Sequence, residues 1–156
     1  MSHSPVPLFT LRPLCPDDEY GLTELNARPD VRERMGTLTG STHSASLGIR
    51  AIISNLEFVG VVGFVKSGAY DGTCIELICA IRSAFERKGF ARAASERLIA
   101  AETITVGRRL LASVREDNLS GQRLASHLGF RPTGDSRACG DAIWELTASR
   151  VHAPAI

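Results

Sequence analysis

The sequence predicts a single α/β domain built on a mixed, mostly antiparallel central sheet of about seven strands, with a parallel pair in its middle and helices on both faces. Three observations carry this. Apolar runs near 47–53, 58–66 and 73–81 are joined by short stretches of turn residues, the pattern of an antiparallel meander. The run from 73 to 115 then reads strand, loop, helix, strand, a βαβ unit whose two strands lie parallel and adjacent with a right-handed crossover. The chain has 156 residues, enough for one domain with a real core.

Taken in order, a first strand at 8–13 precedes a helical region at 17–35. Pro29 breaks that region, and Asp30 can open a second short helix. Residues 36–46 are small and polar and read as a loop. The three meander strands follow, connected through Ser54-Asn55-Leu56-Glu57 and through Ser67-Gly68-Ala69-Tyr70-Asp71-Gly72. A long helix is expected at 90–104 with Gly107 stopping it, then a strand at 109–115. Asn118 caps a helix over 119–128 that Gly129 ends. Two last strands lie at 130–136 and 141–147, and the tail from Arg150 to Ile156 is loose.

Composition narrows the partners. Hydrophobic residues make up 44% and charged residues 22%, as in ordinary globular domains. A net charge of +1 creates no long-range field for nucleic acid or an anionic membrane, so any basic site must be local. No apolar run reaches the ~18 residues of a membrane span. Met1-Ser2-His3-Ser4-Pro5 lacks the regions of a signal peptide, so a cytoplasmic protein is expected, as a monomer or homodimer. Cys15, Cys74, Cys79 and Cys139 form no Cys-x-x-Cys pair and have no histidine at zinc spacing, so reduced thiols and no metal are expected. Of the histidines, His3 and His152 lie near the termini, His43 in a Ser/Thr-rich stretch, and His127 in a helix's last turn.

Glu86-Arg87-Lys88-Gly89-Phe90-Ala91 joins a strand to a helix start. The first N–H groups of a helix lack internal partners, and the dipole adds partial positive charge. Gly89 allows close approach to the backbone, and Arg87, Lys88 and Arg92 add full charges. A phosphate or pyrophosphate is the natural guest. The spacing of neither Walker A nor the dinucleotide fingerprint is present.

The spacing x-x-x-Gly-x-Ala after a strand instead resembles the Gln/Arg-x-x-Gly-x-Gly/Ala loop of the GNAT superfamily of N-acetyltransferases, with Glu86 at the first position. Leu110 to Asn118, followed by a helix ending in Leu128-Gly129-Phe130, resembles that family's C-terminal half, with Gly121 where Ser or Ala is usual. Phe9 to Leu14 with Asp17-Asp18 resembles its opening, so the likeness covers roughly 8–147 of one domain, 1–156. It implies that the loop holds the pyrophosphate of acetyl coenzyme A, with Glu86 pointing away. It also implies a parallel pair splayed at its C-terminal ends, with the pantetheine arm using main-chain groups of Ile78, Cys79, Ala80 and Ile81. The implied cofactor set is those residues with Arg87, Lys88, Gly89, Phe90, Ala91, Arg92 and Asn118.

The implied reaction is acetyl transfer from acetyl coenzyme A to a primary amine: a protein N-terminus, a lysine or a small molecule. Glu76 is the candidate base, the one acid in Ile75-Glu76-Leu77-Ile78, where burial favours a proton-accepting role. It stands where the family often carries a glutamate. The usual tyrosine acid, four residues before Gly-Phe, is replaced by Ala125, leaving Ser120, Gln122, Ser126 or water; Ser120 is the candidate acid. The acceptor is expected against 17–46 and the turn at 67–72, where Asp17, Asp18, Glu19 and Asp30 either attract a cation or mark solvated helix starts. The alternative is a non-catalytic acyl-coenzyme A-binding module on the same fold.

Overall fold

The computed structural model describes residues 5–40, 48–70, 72–101 and 109–146. The expected helix end at 102–104, the stop at Gly107, residues 41–46 of the expected 36–46 loop, His3, His43, His152 and the tail from Arg150 lie outside them.

Among the described residues, seven strands form one sheet in the order β1-β2-β3-β4-β5-β7-β6. They are β1 (Thr10–Pro13), β2 (Ile49–Ser54), β3 (Glu57–Lys66), β4 (Ile75–Ile81), β5 (Leu110–Val114), β6 (Phe130–Ser136) and β7 (Ala142–Leu146). Among the described residues only β4 and β5 run parallel; the other neighbours are antiparallel. The β2–β3 hairpin turns on Asn55 and Leu56, both at positive φ, the two-residue geometry that matches the twist of paired strands.

Helices cover both faces. A 3-10 turn, Pro16–Asp18, leads into α1 (Glu19–Asn26), and α2 (Pro29–Met35) starts on the proline that divides the pair. Leu22, Leu25, Val31 and Leu38 from this side pack on Ala51, Val61, Ile78 and Ala80. On the opposite face α3 (Phe90–Ala101) and α4 (Leu119–Leu128) bury Phe90, Ala94, Leu98, Ala125 and Leu128 against Val62, Phe64, Ile75, Leu110 and Val114. Strand alternation does the sorting: even positions of β4 face α1 and α2, and odd ones face α3 and α4. Arg97 ties the N-terminal segment to α3, stacked 3.8 Å over the Phe9 ring and donating to its carbonyl at 2.8 Å.

The acids near the start of α1 are structural. Asp18 is 2% exposed and accepts both Nη atoms of Arg12 at 2.8 Å and the Cys15 N–H at 2.9 Å. Asp30 pairs with Arg28, and Glu19 accepts the Gly40 N–H. Burial corrects the expectation for Asp18, whereas Glu19 and Asp30 are exposed acids in the first turns of their helices, as a solvated helix start requires. Burial alone would raise Asp18, but the Arg12 fork and the Cys15 N–H outweigh it and hold the carboxyl below its usual value. A lowered folded value means this stability is present above the unfolded carboxyl range, about 3.9, and is lost as pH falls through the folded one. Denaturant melts should therefore weaken below pH about 4, and less steeply in Asp18→Asn, which also starts from lower stability at pH 7.

Candidate functional site

β4 and β5 are paired at only two positions, Ile75 with Leu110 and Glu76 with Leu111. Beyond Glu76, β4 stays on β3 along its whole length while β5 follows β7, so a wedge opens toward both C-terminal ends. Ser67 donates to the Cys74 carbonyl and Arg82 donates to the Val59 carbonyl, which fixes the even-numbered main-chain groups of β4 toward β3. Alternation then turns Leu77, Cys79 and Ile81 to the wedge, and Arg28 Nη1 already bonds the Ile81 carbonyl at 2.7 Å. Of the expected lining, the main-chain groups of Cys79 and the Ile81 N–H face the wedge, while those of Ile78 and Ala80 face β3. The Cys79 side chain lies toward α3, where burial pushes its thiol up to about 12 against the opposing Ser95 hydroxyl.

The loop after β4 enters α3 through Gly89, at φ +86°, whose carbonyl accepts the Ala93 N–H at 3.1 Å. The N–H groups of Phe90, Ala91 and Arg92 therefore have no intrahelical partner. A Cβ at Gly89 would stand in the open, its nearest neighbour Pro7 Cδ at 3.5 Å, so the glycine keeps the approach clear. Phe90 itself is core, edge-on to Phe9 and Phe85, and offers a ligand only its backbone. Arg87 and Lys88 are exposed and have no carboxylate partner among the described residues. Arg92 pairs with Glu96 one turn on, at 3.0 Å. Glu86 reaches toward Arg28, at 3.5 Å. The unpaired N–H groups, the open glycine and the gap in the ladder suit a pyrophosphate with a hydrogen-bonding arm.

Where the two strands part, Glu76 is 4% exposed and its Oε2 accepts from Arg137 Nη1 at 2.6 Å. The same nitrogen lies 3.2 Å from Ser113 Oγ on β5. These side chains line a polar cleft of about 710 Å³ on the α1–α2 face, between α2, the ends of β3 to β5, and the β6–β7 turn. Sequence reasoning missed Arg137 and Ser113. Arg137 is 61 positions from Glu76, in a polar turn that nothing local ties to the site.

The remaining expected residues divide. Asn118 caps α4, its Oδ1 accepting the Gly121 N–H at 2.9 Å, and sits with the Gly89 loop at the C-terminal end of the parallel pair. Ser120 is exposed in the first turn of α4, while Gln122 Nε2 donates to the Glu116 carbonyl. Ala125 is 3% exposed in the core, so no hydroxyl occupies the family's tyrosine position. Tyr20 is 86% exposed, and the Tyr70 hydroxyl donates to Asp135 at 2.7 Å.

A family model, the acetyltransferase (GNAT) domain, matches residues 9–131. The chain belongs to the GNAT acetyltransferase family. Among solved structures it is similar to a Bordetella pertussis protein assigned to that family, at 25% identity over 88% of this chain and 93% of the other, TM-score 0.62. A spermidine N-acetyltransferase chimera from Vibrio cholerae and hSSAT shares the fold at 17% identity, over 94% and 99% of the two chains, TM-score 0.70. So does an aminoglycoside acetyltransferase, AAC(6')-Ib, solved with coenzyme A, at 17% identity, over 92% and 96%, TM-score 0.69. No curated protein matches the chain.

Proposed function

We propose that this chain transfers an acetyl group from acetyl coenzyme A to a primary amine. The observation that carries the reading is a single juxtaposition. A parallel ladder that stops after two pairs opens onto a glycine-led helix start, and a buried carboxylate stands at the point of parting. The cofactor is proposed to rest on the N–H groups of Phe90, Ala91 and Arg92, with Arg87 and Lys88 adding charge and Asn118 lying on the far side of the wedge. Its arm would use Cys79. When bound, acetyl coenzyme A supplies an activated thioester acetyl group.

The chain's residues would do the rest. An amine arrives mostly as ammonium, and Glu76 takes the proton that must leave before the nitrogen attacks. As the carbon–sulfur bond breaks, the departing thiolate takes up one proton, and the new amide gives up another. Ser120 and water are the proposed proton donors. The unpaired thiols among the described residues suit the cytoplasmic setting expected for the chain.

A second reading, a non-catalytic acyl-coenzyme A-binding module, is favoured by Ala125, which leaves no hydroxyl where the family usually places its acid. Acetyl coenzyme A should raise the melting temperature under both readings, contributing about 2.7 kcal/mol at 100 times Kd. Thiol release with a panel of amines separates them: release that depends on the amine is expected. No stabilisation by coenzyme A compounds at millimolar concentration would remove both.

A further inference from the structure

The cleft at Glu76 carries a charge pattern that selects among amines. This inference rests on the proposed transfer and names its acceptor class. Arg137 Nη1 is directed at Glu76 and Ser113, and no described residue takes Nε or Nη2. The side chain is 31% exposed and borders two adjoining clefts, with Nη2 turned toward Gly68, so part of the guanidinium remains open. Glu76 Oε2 faces Arg137, and Oε1 has no partner among the described residues. An open guanidinium edge thus stands beside an open carboxylate oxygen.

The surrounding charges do not favour a polycation. Arg34, Lys66, Arg115 and Arg137 line the cleft against Glu33, Glu76 and Asp141. Two of those three acids are already paired, Glu76 with Arg137 and Asp141 with Arg34 at 3.5 Å. Arg115 pairs outward with Asp117. A chain of ammonium groups would find Glu33 and the open Oε1 of Glu76 set against four cations. A molecule carrying one ammonium and one carboxylate finds a partner for each.

We propose that the acceptor is an amine bearing a nearby carboxylate, an α-amino acid or a compound of that charge pattern, and that Arg137 is the specificity residue. The carboxylate takes the open Nε–Nη2 edge in the two-bond geometry that arginine offers and lysine does not. The ammonium then meets Glu76 Oε1, where its proton is to be removed.

The test compares α-amino acids with their own amides as acceptors, with acetyl coenzyme A and thiol release as readout, in the wild type and in Arg137→Lys. The lysine keeps a cation beside the buried Glu76 and removes the fork, and a melting curve checks that the variant is folded. The free acids should be preferred in kcat/KM by at least about tenfold, with the preference falling to within about threefold in Arg137→Lys and KM changing more than kcat. Equal or better use of the amides overturns the acceptor class and leaves acetyl transfer standing, as does a preference that survives in Arg137→Lys. Acetylation of neither series overturns it as well. Whether simple diamines are acetylated in the same assay then tells whether the transfer reading fails with it.

Discussion

Glu76→Gln should lower turnover by ~10²–10⁴-fold, the usual worth of a positioned acid–base group, and leave coenzyme A affinity nearly unchanged. The substitution keeps the side chain's shape and a carbonyl oxygen for Arg137, but removes the oxygen that can take a proton. Affinity should hold because Glu76 faces the α1–α2 side, while the helix start proposed to receive the pyrophosphate lies past the far end of β4. The variant also loses the charge that faces Arg137 at 2.6 Å, so its melting curve belongs beside its kinetics. Near-normal turnover across pH about 6 to 9 would make Glu76 a structural partner of Arg137 and nothing more.

Gly89→Glu should weaken acetyl coenzyme A by at least tenfold, about 1.4 kcal/mol. Two costs combine. The backbone there has φ +86°, which a residue with a Cβ adopts only with strain. The new carboxylate also projects where the approach is open and an anion is to be bound. Gly89→Ala separates them, carrying the strain without the charge. Calorimetric titration against a folded variant is the measure, and unchanged affinity would place the anion elsewhere. Arg87→Ala should cost less, because the backbone donors remain.

The layout of the fold was legible because its signals are local. Alternating apolar residues, paired turn residues, Pro29 and the Asn118–Gly129 caps each mark an element within a few positions, and the order of elements limits the topology. The glycine-led loop was legible for the same reason. What the sequence hid depends on register and on distant pairing. Which main-chain groups of β4 face the wedge is a matter of parity, and parity is set by β3. That Asp18 is buried depends on Arg12 reaching back to it across a strand end. That Glu76 has a cation beside it depends on where the β6–β7 turn folds, and no short pattern around Arg137 says so. The family match ends at residue 131, before that turn begins.

The two-rung ladder between β4 and β5 has a mechanical consequence. Cut there, the sheet is two panels, β1-β2-β3-β4 and β5-β7-β6, sewn together by a short backbone seam. Side chains add to the stitching, among them Glu76 to Arg137, Arg34 to Asp141, Tyr70 to Asp135, and the packing of α3 on α4. A ligand arm lying in the wedge would act as a temporary strand, lending rungs that the chain itself does not supply. Amides of Cys79 and of the wedge edge of β5 should then exchange with solvent more slowly when the arm is in place, so that filling the site and stiffening the sheet become one event.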